Sequence, residues 1–179
     1  MKKSYKGLYR PTHPKKYIGD VTKIVYRSLL ERKFMLYCDR NPDITYWASE
    51  ELAIRYYNPL DKKYHSYYPD FIVRTIKGDK ILIEIKPSRQ TKPPKTPKKK
   101  TRAFMRESYM YIKNQAKWKA AKRYADDNNA MFKLITEKDL GSYYGVALDK
   151  FKKVLSTFLL FIKPDTTELL PPTVDCWLL

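Results

Sequence analysis

The chain has 179 residues, 43% of them hydrophobic and 16 of them Tyr, which suffices for one domain with a buried core and argues against wholesale disorder. Lys and Arg outnumber Asp and Glu by 37 to 19, and the resulting +18 resides wholly in residues 1–140, because four lysines and four acids balance in 141–179. Such an excess points to a polyanion, most simply nucleic acid, and away from a membrane surface, since no basic stretch is paired with a long apolar helix face.

Two distant cysteines, Cys38 and Cys176, with only His13 and His65 besides, argue against a zinc site and fit a reduced cytosolic setting. Met1-Lys2-Lys3-Ser4-Tyr5-Lys6 is not followed by an apolar stretch, so no signal peptide is expected. Residues 1–20, with Pro11 and Pro14 among Lys, Arg and Tyr, read as an irregular basic arm. A helix is expected over Ser28–Cys38, where Leu29, Leu30, Phe34, Leu36, Tyr37 and Cys38 recur near helical spacing and Asn41-Pro42 supplies the stop. Strands are expected at Ile44–Ala48, Leu52–Tyr57, Tyr64–Thr75 and Lys80–Lys86, with a turn at Asn58-Pro59-Leu60-Asp61. Residues 87–102 then break the pattern. Four prolines stand there among seven basic residues (Arg89, Lys92, Lys95, Lys98, Lys99, Lys100 and Arg102) with no acid, the composition of a basic loop or finger. A long helix is expected over Glu107–Asp127, then a strand at Met131–Ile135 and a helical turn from Thr136. The tail 141–179 reads as a C-terminal extension without an assigned role. Its longest apolar stretch, Val154–Ile162, is broken by Ser156 and Thr157 and is too short to span a bilayer, so a soluble protein is expected. Helix, antiparallel strands, helix and strand in that order predict an α/β domain with a mixed central sheet flanked by helices.

The chemistry concentrates in residues 69–86. Side chains alternate along a strand, so Ile81, Ile83 and Ile85 share one face while Leu82, Glu84 and Lys86 share the other. The turn Lys77-Gly78-Asp79-Lys80 folds the preceding strand back, which brings Asp70 beside the end of the second strand. Two acidic groups and a cation on one apolar hairpin suit a Mg²⁺ ion and a polarised water. Each residue also has a plainer reading. Asp70 follows Pro69 and could serve a turn. Glu84 interrupts an apolar run, which is costly unless it pairs with Lys86 or a metal. Lys86 is either the start of the basic loop or a group beside the metal that orients water. Ser28-Leu29-Leu30-Glu31 matches a helix capping box, the alternative being that Glu31 reaches the metal as a third carboxylate. Glu50 and Glu51, at a strand boundary, read as solvated or supporting. The charge run at 92–102 suits a phosphate clamp, against a solubility or localisation device.

The Asp70 … Glu84-Ile85-Lys86 arrangement resembles the PD-(D/E)xK nuclease superfamily. Tyr26-Arg27-Ser28-x-x-Glu31, Trp47-x-Ser49-Glu50-Glu51, Tyr68-Pro69-Asp70-Phe71 and Ile83-Glu84-Ile85-Lys86-Pro87 are together similar to the head completion nucleases of tailed phages. Gln90-Thr91-x-Pro93-Pro94, Asn114-Gln115-Ala116-Lys117-Trp118 and Ile135-Thr136-Glu137-Lys138 extend the likeness over about residues 5–140. The resemblance implies a restriction-endonuclease-like core at 21–140 and a Mg²⁺-dependent endonuclease, with Mn²⁺ as a substitute, acting on double-stranded DNA. It implies catalysis by Glu31, Asp70, Glu84 and Lys86, a metal held by Glu31, Asp70, Glu84 and the Ile85 carbonyl, and support from Gln115 and Lys119. It further implies work late in capsid assembly on the packaged DNA end before tail attachment, in the host cytoplasm or with the virion, near portal or connector proteins. The same core is similar to the endonuclease subunit of some bacterial transposases. The opposing expectation is a non-catalytic DNA-binding head or connector protein.

Overall fold

The computed structural model describes residues 5–140. The expected extension at 141–179 lies outside the described residues.

The elements run β1 (Gly7–Leu8), β2 (Val25–Tyr26), α1 (Leu29–Arg40), β3 (Ile44–Ser49), β4 (Ile54–Asn58), β5 (Lys63–Tyr67), β6 (Phe71–Thr75), β7 (Lys80–Ile85), α2 (Arg102–Asp127) and β8 (Ala130–Ile135). The central sheet is mixed, in the order β3-β6-β7-β8. β6 pairs antiparallel with β3, across the connection that carries β4 and β5, and antiparallel with β7 across the short turn at 76–79, whereas β8 runs parallel to β7. A parallel neighbour requires a long crossover, and α2 supplies it. This is the expected α/β architecture.

The alternation in β7 sorts the two cores. Ile81, Ile83 and Ile85 join Phe34, Met35 and Cys38 of α1 with Trp47 and Phe71 on one face. Leu82 joins Ala121 and Ala125 of α2 on the other, with Ile54, Tyr56 and Tyr67 from a separate β4–β5 hairpin. Small residues at 121 and 125, both fully buried, let α2 approach the sheet closely.

Two expectations change. The single strand expected over Tyr64–Thr75 is two strands belonging to two sheets, broken at Tyr68-Pro69-Asp70. Proline has no N–H to donate to a ladder, so the run of strand-forming residues cannot pass through Pro69 as one strand. The long helix starts at Arg102, five residues before Glu107, because Thr101 caps it by accepting the Phe104 N–H at 3.2 Å. Residues 5–20, within the segment expected as an irregular basic arm, pack onto the body through Tyr9 and Tyr17. Tyr9 and Tyr17 are buried against Trp47, their ring centroids 5.9 and 4.7 Å from its own. Lys16 Nζ donates to the carbonyls of Cys38, Asp39 and Asn41 at 3.0, 3.0 and 2.6 Å, capping the C-terminus of α1. Asp39, fully buried, accepts from the Tyr9 hydroxyl and the Thr12 and His13 N–H groups.

Candidate active site

The break at Pro69 builds the site. Pro69 is fully buried, and Asp70 leaves it at the start of β6, level with the end of β7. The Ile85 N–H donates to Asp70 Oδ2 at 2.7 Å, which fixes that carboxylate against the neighbouring strand. Glu84, 2% exposed, accepts from the Tyr67 hydroxyl through Oε2 at 2.6 Å. Its other oxygen, Oε1, lies 2.7 Å from Lys86 Nζ. The same ammonium donates to Asp70 Oδ2 at 3.3 Å and to the Ile85 carbonyl at 3.1 Å. One cation therefore touches all three hairpin groups that the family resemblance assigns to a metal.

Electrostatics follow from the geometry. Burial, reinforced by the Glu84 charge, pushes Asp70 up to about 7 despite Lys86 and the Ile85 N–H. Burial works to lower Lys86, but the Asp70 and Glu84 charges overcome it and hold the ammonium above its ordinary range. Burial and the adjacent Glu84 charge raise Tyr67 far up, so its hydroxyl keeps its proton and stays a donor. Burial lowers Lys117, an effect that Glu84 opposes and that Lys113 and Lys86 reinforce. Lys117 Nζ lies 5.2 Å from the Tyr67 ring centroid and 5.9 Å from that of Tyr56.

The structure gathers Asp70, Glu84 and Lys86 as expected, and treats the other expected site residues differently. Glu31 serves the helix start: its carboxylate accepts from the Arg27 N–H at 2.6 Å and from the Ser28 hydroxyl at 2.9 Å, while Ser28 Oγ accepts the Glu31 N–H. Among the described residues no three His, Cys, Asp or Glu side chains form a metal-binding group. The Glu31 charge is nonetheless felt at Asp70 and at Glu50, whose own carboxylate is bound by Arg27 at 2.6 Å. Gln115 and Lys119 are exposed. Helical spacing turns Asn114, Trp118, Ala121 and Ala125 inward and carries 115 and 119 about 100° round the axis, so the inward members are Asn114 and Lys117. All seven finger residues, Arg89, Lys92, Lys95, Lys98, Lys99, Lys100 and Arg102, are exposed. The base of the finger is fixed at Ser88, whose N–H and hydroxyl both donate to Glu137 beyond β8. Sequence reasoning missed Tyr67 and Lys117. The spacing of Trp118, Ala121 and Ala125 is the signal that could have found Lys117, whereas Tyr67, inside the strand-like run before Pro69, carried no separate signal.

A buried Asp–Glu–Lys centre at the ends of two adjacent strands of a mixed sheet defines an endonuclease core of the restriction-endonuclease-like, PD-(D/E)xK class. The chain belongs to the TnsA-like endonuclease family, whose N-terminal domain model matches residues 41–137. It is similar to the head completion nuclease of Enterobacteria phage T4, 38% identical over 141 residues, which cover 76% of this chain and 94% of that protein. No solved structure is significantly similar to it. The resemblance read from the motifs is thereby borne out.

The centre fits a divalent cation by its donor set. Asp70, Glu84 and the Ile85 carbonyl offer only hard oxygens, and two carboxylates against one ammonium leave a net negative charge. No helix among the described residues is long and apolar enough to cross a membrane.

Proposed function

We propose that the chain is a divalent-metal-dependent endonuclease that hydrolyses phosphodiester bonds of double-stranded DNA during phage head completion, on the packaged DNA end before tail attachment. The observation that carries the chemistry is the convergence of Asp70, Glu84 and the Ile85 carbonyl on one cation, the Lys86 ammonium. The biological setting rests on the T4 relative.

Asp70, Glu84 and the Ile85 carbonyl would hold the metal, Mg²⁺ or Mn²⁺ in its place. When bound, it supplies a Lewis acid for the phosphate and an acidified water. The chain's own contributions are legible. Tyr67 donates to Glu84 and fixes which carboxylate oxygen faces the centre. Lys86, kept protonated by its two carboxylates, carries a positive charge to where negative charge grows on the phosphate. The finger residues Arg89 to Arg102 grip phosphates without reading sequence. Binding then weakens steeply with salt. Portal or connector proteins are the natural neighbours of such an activity, in the host cytoplasm and at the assembling virion.

The test incubates purified protein with linear and supercoiled DNA in Mg²⁺ beside Glu84→Ala and Lys86→Ala. Cutting by the wild type alone is expected. Identical behaviour of all three with DNA binding intact overturns the enzyme reading in favour of a non-catalytic head protein. The TnsA-like match favours one second reading, a transposase-type subunit that cuts only defined ends with a partner protein present. Cutting of generic DNA by the chain alone decides against it.

A further inference from the structure

Helix α2 carries one straight inward stripe whose two halves face different surroundings. Toward its C-terminus Ala121 and Ala125 are buried on the sheet, and Lys117 lies over Tyr67 beside Glu84. Steps of three and four from Lys117 toward the N-terminus reach Asn114, Met110 and Arg106. These side chains line a groove of about 290 Å³ whose opposite wall is the base of the finger, through Arg89 and Lys92. Glu107 lines it too, so three cations face one acid there. Asn114, 7% exposed, lines the groove at its inner end. Its two donors and its acceptor are available to a ligand in the groove.

We propose that this groove seats the DNA strand next to the bond that is cut, with phosphates on Arg89, Lys92 and Arg106 and the Asn114 amide hydrogen-bonded to the strand. The inference rests on the nuclease reading of the Asp70–Glu84 centre, because Lys117 joins the groove to that centre along one helix face. The eleven helical steps from Arg106 to Lys117 span ~16 Å, about five base steps of one DNA strand. The protected stretch on this side of the cut is thus about five nucleotides. The assignment also explains why the finger leaves β7 directly after Lys86: it closes the second wall of a channel that starts at the cutting site.

The test is fluorescence anisotropy of a short labelled duplex in EDTA, at several salt concentrations, with the full chain. Asn114→Asp places a carboxylate in the groove and is expected to weaken binding about tenfold or more. Arg106→Ala, an exposed change, is expected to weaken it several-fold and to lower the salt slope by about one. Ile112→Asp adds the same charge to the outward, exposed side of α2 and is expected to bind as wild type does, within about twofold. Thermal melting of each variant accompanies the binding data, and Arg106→Ala with Arg89→Ala carries the test if Asn114→Asp does not fold. Wild-type binding by both Asn114→Asp and Arg106→Ala overturns the groove while leaving the nuclease reading standing. Groove-dependent binding by a protein that cuts nothing in Mg²⁺ overturns the nuclease reading and keeps the groove. A wild type that binds no DNA overturns both.

Discussion

The Lys86 ammonium lies 2.7 Å from Glu84 Oε1, at a position where the glutamate is 2% exposed and, among the described residues, also accepts from Tyr67. Through Asp70 and the Ile85 carbonyl the same ammonium reaches the remaining oxygens of the centre. A divalent cation on those oxygens competes with Lys86 for them.

Lys86→Gln is therefore expected to bind Mg²⁺ or Ca²⁺ about tenfold more tightly by calorimetry, roughly 1.4 kcal/mol, while losing DNA cleavage. Without metal the variant leaves Glu84 buried and unpaired against Lys86, a loss of about 3–5 kcal/mol that added Mg²⁺ largely restores in the melting temperature. Weaker metal binding by Lys86→Gln shows instead that lysine and metal occupy separate places.

Tyr67→Phe removes the donor to Glu84 Oε2 without changing the ring that Lys117 covers. A hydrogen bond to a charged group is worth about 1.5–3 kcal/mol, and denaturant unfolding of the variant is expected to show a loss of that size. Cleavage falls as well, because Glu84 loses the contact that fixes its rotamer. Unchanged stability means that water replaces the hydroxyl and that the bond is dispensable.

Asp70 gives the protein a pH dependence of defined sign. Its folded value, about 7, is raised above the ordinary carboxylate range by burial and by Glu84. Between about pH 4 and pH 7 the native state holds a proton that the unfolded state has released, so this group's contribution to stability declines as pH rises through that window. The slope is at most about 1.4 kcal/mol per pH unit. Denaturant unfolding in EDTA at several pH values is expected to show this decline in the wild type and its absence in Asp70→Asn. The paired comparison isolates Asp70 from groups such as Asp39, which burial raises but backbone N–H donors hold lower overall and which therefore act in the opposite direction.

What was legible in the sequence follows from how local each cause is. The face assignments in β7 depend only on alternation, so Ile81, Ile83, Ile85, Glu84 and Lys86 stand where their order put them. The gathering of Asp70 with Glu84 needed only one turn, at 77–80. The break at Pro69 was in plain view as a proline inside a strand, yet the alternating run around it dominated the reading. The role of residues 5–20 was not legible, because it depends on contacts 20 or more residues away, from Lys16 to the end of α1 and from Tyr9 to Asp39. Composition described that segment as basic without showing that Lys16 is spent on three carbonyls. Likewise, Asn114 and Gln115 are neighbours in sequence, and only the helix phase set by Ala121 and Ala125 decides which one turns inward.

Deletion of residues 1–20 distinguishes a clasp from a DNA-binding arm. Removing Tyr9, Tyr17 and Lys16 uncovers Trp47 and Asp39 and uncaps α1, so the truncated protein is expected to be unfolded or to melt far below the full chain. Lys16→Met, the milder change, is expected to cost about 2 kcal/mol in denaturant unfolding. DNA affinity in that variant stays close to wild type, since its ammonium is engaged within the fold. A folded truncation that merely binds DNA less well returns the segment to the role of an arm.

Glu31 carries a choice between cap and ligand that one substitution resolves. Its oxygens accept from the Arg27 N–H and the Ser28 hydroxyl, and glutamine can accept in the same positions while being a poor ligand for Mg²⁺. Glu31→Gln is expected to keep wild-type stability and most of the cleavage rate. Glu31→Ala, which removes the carboxylate half of the capping box while Ser28 Oγ still accepts the N–H of residue 31, is expected to cost about 1 kcal/mol in thermal or denaturant unfolding. Loss of cleavage in Glu31→Gln with an unchanged melting temperature reverses the assignment: Glu31 then turns from the cap toward the centre when metal binds, joining the field it already exerts on Asp70.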